Sequence, residues 1–358
     1  MASFRVEQLE RDFNRARIKV IGTGGGGGNA VNTMISKGLE EVEFIAVNTD
    51  FQDLNKSLAS KRIQIGENTS RGLGSGGNPQ IAKDSAIEDL DKIEEVLHET
   101  DMVFITAGMG GGTGTGVSPV IAEACRKKDI LTVAIVTKPF GFEGAIRREN
   151  ADYGIEELNK HVDTLIVIPN DKLAAIHKVS ILDAFHQADE VLYQAVRGIS
   201  DIITGTGYIN VDFADVRSIM ANHGGKAIMS SGFAQGANRA TQAAQMAITS
   251  PLLEDVSIAG AKGILMNVTA SADFGIEEMN EACDHIREKS NSDVDLIFGL
   301  VFDEKTKDFV KITVVATGIE NYIDKRALDI ISENPHLPKM EEDLDIPTFV
   351  RRKERIAR

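Results

Sequence analysis

The chain has 358 residues, 42% of them apolar, with 33 glycines and a formal net charge of −15. That length supports two ordinary cores; no run of eighteen apolar residues predicts a membrane span, and so acidic a surface repels nucleic acid phosphates. Cys125 and Cys283 stand far apart and the seven histidines are scattered, so no metal cage is expected and a reducing, cytoplasmic setting fits. An anionic ligand must then be held locally, by backbone N–H groups, helix N-termini and a bridging cation.

Residues 1–16 read as a charged N-terminal extension without the apolar stretch of a signal peptide. Short β-branched runs follow at 17–21 (RIKVI), 43–48 (EFIAVN), 63–65, 102–107 (MVFITA), 131–136 (LTVAIV) and 164–168 (TLIVI). Helical stretches alternate with them at 30–36, 79–98, 117–127 and 144–160. Strands that are apolar on both faces and alternate with helices predict a parallel sheet covered on both sides. Ligands bind such sheets at the carboxyl ends of the strands, where the main glycine clusters of this half fall.

A long helix is expected over 181–204, then a loop (YINVDFAD, 208–215) running into another helix. From Lys226 the pattern changes to strands at 227–231, 263–269, 294–301 and 310–316, with helices at 239–247 and 276–288. The organisation read from this is an α/β binding domain over 17–180 and a central helix with its loop over 181–223. A smaller α/β domain covers 224–318, followed by a linker over 319–343 and a terminal peptide over 344–358.

Two glycine-rich loops carry the chemistry. The first, 22–28 (GTGGGGG) followed by Asn29 and Ala30, joins a strand to a helix, where backbone N–H groups approach an anion unobstructed. Gly22, Gly24 and Gly27 also satisfy G-x-G-x-x-G, with Asp50 as a candidate ribose-binding acid, so a dinucleotide-binding oxidoreductase is one reading. It leaves the second loop unexplained. That loop, 110–116 (GGGTGTG), again follows a strand and opens a helix, and the hydroxyls of Thr113 and Thr115 add donors. Two such loops can grip a triphosphate from two sides, and no Walker-type G-x-x-x-x-G-K-[ST] is present.

The run 110–116 resembles the signature of the tubulin/FtsZ family, and 24–30 resembles the first loop of its FtsZ branch. The likeness continues through 47–50 (VNTD), 72–79 (GLGSGGNP), 137–144 (TKPFGFEG), 168–173 (IPNDKL), 210–216 (NVDFADV) and Thr317-Gly318, with Ser75 and Gln80 as small departures. The resemblance implies a tubulin-like fold: a Rossmann-like GTPase domain joined by a long central helix to a smaller α/β domain. It implies GTP or GDP held at the phosphates by Gly25, Gly26, Gly27, Gly28, Asn29, Gly112, Thr113 and Gly114, with Gly74, Ser75 and Gly76 near the γ-phosphate. Glu143 would contact the ribose with Arg147 one turn beyond, Asn170 and Asp189 would read the guanine edge, and Phe185 would stack on the ring. On sequence alone Phe185 reads as core and Asp189 as a solvated charge.

Asp212 and Asp215, at a helix start, read locally as N-capping carboxylates. The resemblance gives them, with Asn210, a catalytic role in the site of the next subunit, aided by Mg2+ on the β and γ phosphates. The two aspartates argue against a merely non-catalytic scaffold of the same fold. The implied partners are further copies of the chain, head to tail in filaments, and membrane-anchoring division adaptors gripping 345–349 (DIPTF). Membrane contact would be indirect and the location the mid-cell division site.

Overall fold

The computed structural model describes residues 16–176, 180–204, 208–209, 211–222, 224–250, 258–290, 294–303 and 306–319. Six parallel strands form its first half: β1 (Ile18–Thr23), β2 (Glu43–Asn48), β3 (Lys61–Gln64), β4 (Met102–Gly108), β5 (Leu131–Lys138) and β6 (Thr164–Pro169). They lie in the order β3-β2-β1-β4-β5-β6, so the chain winds outward in both directions from β1 and β4. A crevice opens at such a reversal, at the carboxyl ends of the strands. Successive residues along β1 and β4 face opposite sides of the sheet. Val20 and Phe104 pack against α1 (Gly24–Ser36) and α8 (Ile181–Ile203), whose Val31, Met34, Leu192 and Val196 are buried. Ile21 and Ile105 pack on the other side against α3 (Pro79–Glu88), α5 (Thr113–Lys127) and α6 (Ala145–Asn159). Burial on both faces explains why these strands read as continuous apolar runs.

Strand ends shift by a few residues from the sequence expectation, and several helices differ more substantially. α1 and α5 begin inside their glycine runs, because a glycine whose N–H caps a helix is still helical backbone. The stretch 79–98 is two helices, α3 and α4 (Leu90–Val96), broken at Asp89. There the Asp89 carboxylate accepts the Gly66 N–H at 2.7 Å, while neighbouring Glu88 accepts from Asn68 and Thr69. The helix breaks so that two adjacent acids can hold the loop leading into residues 72–77. Two short helices were not anticipated: α2 (Phe51–Asn55), capped by Asp50, which accepts from the Gln52 and Asp53 N–H groups, and α7 (Asn170–Ile176).

Ser180 caps α8 by accepting the Asp183 N–H, and the helix runs 23 residues. Beyond it come α9 (Phe213–Asn222), β7 (Gly225–Gln235), α10 (Arg239–Ile248), β8 (Gly263–Ala270), α11 (Ile276–Lys289), β9 (Asp295–Phe302) and β10 (Phe309–Thr317). The first residues of β7 pair parallel with β6, and the rest pairs antiparallel with β10, so one strand makes ten strands a single sheet. α10 and α11 cover the second half with their own core of Ala243, Ala282, Met266 and Ile312. Cys125 and Cys283 are buried, and burial pushes the Cys125 thiol up to about 12. Among the described residues no helix is long and apolar enough to cross a membrane. The linker and terminal peptide expected over 319–358 lie outside the described residues, apart from Ile319.

Candidate functional site

A cavity of about 620 Å³ opens at the carboxyl ends of β1, β4, β5 and β6. Its floor is the first turns of α1 and α5, through Gly25, Gly26, Asn29, Gly112, Thr113 and Gly114. Two helix N-termini therefore present free N–H groups and positive dipole ends to the same space, the arrangement that suits a chain of phosphates. Part of the glycine content serves packing between the loops. A Cβ on Gly114 would stand 2.6 Å from the Gly108 carbonyl oxygen, and one on Gly24 would stand 2.9 Å from the Gly114 amide. Only bare backbone lets the two helix starts come this close. The Thr113 hydroxyl ties the floor to its surroundings, 2.7 Å from Thr49 Oγ1 and 3.3 Å from Ser75 Oγ. Leu73, Gly74, Ser75, Gly76 and Gly77 form the flank.

At the other end the cavity is lined by Glu143, Arg147, Asn170, Phe185, Ala188, Asp189 and Leu192. Glu143 is pinned: it accepts the Phe140 N–H at 2.9 Å and pairs with Arg147 at 2.6 Å. Phe185 is 41% exposed, and its ring meets Phe140 edge-on at 5.1 Å, leaving a face open to the cavity. Asn170 is buried, yet its Oδ1 has no hydrogen-bond partner. Burial pushes the Asp189 carboxyl up to about 6, with only the neighbouring His186 charge pulling it back. Buried polar atoms are nearly always paired, so the unpartnered Asn170 Oδ1, a partly buried carboxylate and an aromatic face lining one cavity point to a planar ligand with adjacent N–H donors.

Asp212 and Asp215 are exposed and form no part of this cavity. Asp212 caps α9, accepting the Ala214 N–H at 3.2 Å. Further along the helix Arg217 pairs with Asp129 at 2.8 Å. Asp129 lies two residues before β5, whose far end meets the cavity through Thr137, with Pro139 just beyond it. α9 thus sits at the amino ends of strands whose carboxyl ends carry the cavity, and β5 spans about 26 Å over its eight residues. Asn210, expected beside Asp212 and Asp215, lies outside the described residues.

Comparison with known proteins decides what this geometry belongs to. Residues 17–178 match the tubulin/FtsZ family GTPase domain, and residues 225–320 match the FtsZ family C-terminal domain. A solved FtsZ dimer from M. jannaschii is 44% identical, covering 86% of this chain and 89% of that one, with a TM-score of 0.82. This chain belongs to the tubulin/FtsZ family. It is a GTPase, and the fold is the tubulin-like one expected. CetZ2 from Haloferax volcanii, solved as a GTPγS-bound protofilament, shares that fold at 20% identity and a TM-score of 0.74, over 89% of this chain and 99% of its own. CetZ1 from the same organism, a GDP-bound monomer, shares it at 22% and 0.75.

Within this family site, the residues expected at the nucleotide line one cavity, with three adjustments. Gly27 is absent from the wall because it packs behind it, where a Cβ would collide with the Thr106 carbonyl oxygen. Gly28 faces a smaller pocket beside Asp53 and Lys56. The Thr115 hydroxyl is buried and accepts the Gly110 N–H at 2.9 Å, so it holds the loop's shape rather than facing a ligand. The sequence reading also passed over Asp53, on α2, and Asn48, Thr137 and Pro139, which line the cavity from the ends of β2 and β5. For the last three, position at the carboxyl ends of parallel strands was the available signal.

Proposed function

We propose that this GTPase assembles head to tail and hydrolyses GTP where the Asp212–Asp215 edge of one subunit meets the cavity of the next. The observation that carries the proposal is the separation just described: the cavity and the two carboxylates sit at opposite ends of the same strands. Within the folded chain they do not meet, whereas stacking copies along the strand direction would bring the aspartates of one to the cavity of the next. The M. jannaschii FtsZ was solved as a dimer and CetZ2 as a protofilament, which supports self-association as part of this reading.

Asp189 and Asn170 accept from the N1–H and exocyclic amine of guanine, a donor pair that adenine lacks. Phe185 stacks on the base, Glu143 holds the ribose with Arg147 braced against it, and the starts of α1 and α5 hold the phosphates. Asp212 and Asp215 of the incoming subunit, with Asn210, orient the attacking water. A Mg2+ fits this site as a companion of the phosphates. Among the described residues no three His, Cys, Asp or Glu side chains form a cage, but Asp50 and Asp53 offer hard oxygen donors in the cavity wall. Bound there, it would neutralise charge on the β and γ phosphate oxygens. The cellular reading is a cytoplasmic filament of the division ring at mid-cell, tethered through residues 345–349 to a membrane-anchored adaptor.

The test is kinetic. Asp212→Ala or Asp215→Ala leaves GTP affinity in the monomer intact and lowers turnover by on the order of 10²–10⁴. Turnover per subunit of the unmodified protein climbs with concentration until filaments form. A turnover number that stays constant down to dilute monomer would show a site complete in one chain and end the proposal.

A further inference from the structure

Among the described residues β9 is the last strand of the ten-stranded sheet, so one row of its backbone groups has no neighbouring strand there. A buried strand edge left open is costly, because each unpaired N–H or carbonyl forfeits its hydrogen bond with water. At Leu300, which is buried, that edge is closed from an unexpected quarter. The Leu300 N–H donates to the Ile209 carbonyl at 3.1 Å, and the Leu300 carbonyl accepts from the Tyr208 N–H at 2.7 Å and the Ile209 N–H at 3.3 Å. The two segments run antiparallel here. Gly299 leaves room for the crossing: a Cβ there would press to 3.1 Å of Ile202 and stand 3.5 Å from the Ile209 carbonyl oxygen. Tyr208 adds a ring contact to Phe302 at 5.4 Å, although most of its surface stays exposed.

Tyr208 and Ile209 lie just before Asp212, and the helix that Asp212 opens is fastened elsewhere. The Thr164 hydroxyl, on β6, donates to the Met220 carbonyl at 2.7 Å, and Arg217 pairs with Asp129 before β5. The aspartate segment is thus strung between two supports, the edge strand β9 in front and the parallel strands behind. We infer that the Tyr208–Ile209 bridge to Leu300 is a positioning element for hydrolysis: β9 sets where Asp212 and Asp215 stand when they enter the neighbouring cavity. This rests on the trans-acting role proposed above for the two aspartates. A carboxylate orienting water tolerates little displacement, and a misplacement of about 1 Å can cost about 100-fold in rate.

Tyr208→Pro removes the donor of the 2.7 Å bond, whereas Tyr208→Ala removes the ring and keeps the N–H. Expected for Tyr208→Pro are unchanged GTP affinity, filament formation, and turnover lower by about 10- to 100-fold. Exchange of the Leu300 amide should accelerate in the same variant. Tyr208→Ala should keep near-native turnover and a protected Leu300 amide. A bridge that merely covers a strand edge would lower melting temperature in Tyr208→Pro and leave turnover per filament subunit alone, which would overturn the inference. Lost turnover with a still-protected Leu300 amide overturns it as well. Should Tyr208→Pro not bind GTP, the unmodified filament decides: a Leu300 amide exchanging as fast as an open edge means that no bridge exists to position anything. An Asp212→Ala control separates this from the parent reading. If that variant turns over normally, the trans-acting role itself fails; if it is dead while Tyr208→Pro is fully active, only the bridge is dismissed.

Discussion

In the proposed guanine site Asn170 Oδ1 is buried with no hydrogen-bond partner, and the Asp189 carboxyl is largely desolvated. An adenine in the same place leaves them without guanine's donor pair, and an unsatisfied buried group costs about 1–3 kcal/mol, more when charged, so ATP should compete at least about 10–100-fold less well than GTP. The Asp189 carboxyl, pushed from 3.8 up to about 6, also carries a pH signature. The folded protein holds that proton more tightly than the unfolded chain does. Its contribution to stability therefore falls as pH rises between 3.8 and about 6. Guanine reverses the preference, because its two donors need the ionised form, so GTP affinity should rise through the same window. Asp189→Asn removes both trends: calorimetry of the nucleotide-free variant at pH 7 should give a higher melting temperature, and titration should give weaker GTP binding. A variant that binds GTP normally would place base recognition elsewhere.

At the scale of elements, the site depends on how closely α1, α5 and β4 can approach. Gly114→Ala sets a Cβ 2.6 Å from a backbone oxygen that cannot give way, so α5 must shift, and overpacking of this kind costs about 1–3 kcal/mol. GTP affinity should fall with stability, since the shifted turn is the cavity floor. Gly28→Ala is the contrasting substitution. It lies inside α1 with nothing within 4 Å of the added Cβ, and alanine in a helix is favoured over glycine by up to about 1 kcal/mol. Thermal melting should show Gly28→Ala at or above the unmodified protein, with GTP affinity retained. The pair separates glycines that the fold requires from those that merely sit in the run, and a stable, tight-binding Gly114→Ala would refute the packing account.

For the whole molecule, the proposed function makes the working unit larger than one chain and gives residues 344–358 a role in binding a partner. That segment is apolar at Leu344, Ile346, Phe349 and Val350 and basic at Arg351, Arg352 and Lys353. Such a composition suits a short peptide that anchors apolar residues in a partner's groove, its basic flank meeting acidic rims. Deleting 344–358 should leave GTP hydrolysis and filament formation largely unchanged and abolish recruitment to vesicles coated with the membrane adaptor. Truncated protein that co-sediments with those vesicles as well as the full chain would remove the tail from the account.

The parallel sheet, the central helix and both glycine loops were legible in the residues, because strands buried on two faces and strand–glycine–helix junctions leave local, periodic marks. Three decisions needed the folded chain. Which glycines face a ligand depends on what lies opposite them, and Gly27, Gly112 and Gly114 look alike until Thr106, Ser75 and Gly108 are brought against them. Whether Phe185 is core or cavity wall depends on the neighbour Phe140, 45 positions earlier in the chain. That Asp212 and Asp215 stand far from the nucleotide end is a property of strand direction, carried by the Arg217–Asp129 contact. Local pattern records which face a residue prefers; only long-range packing settles what it meets there.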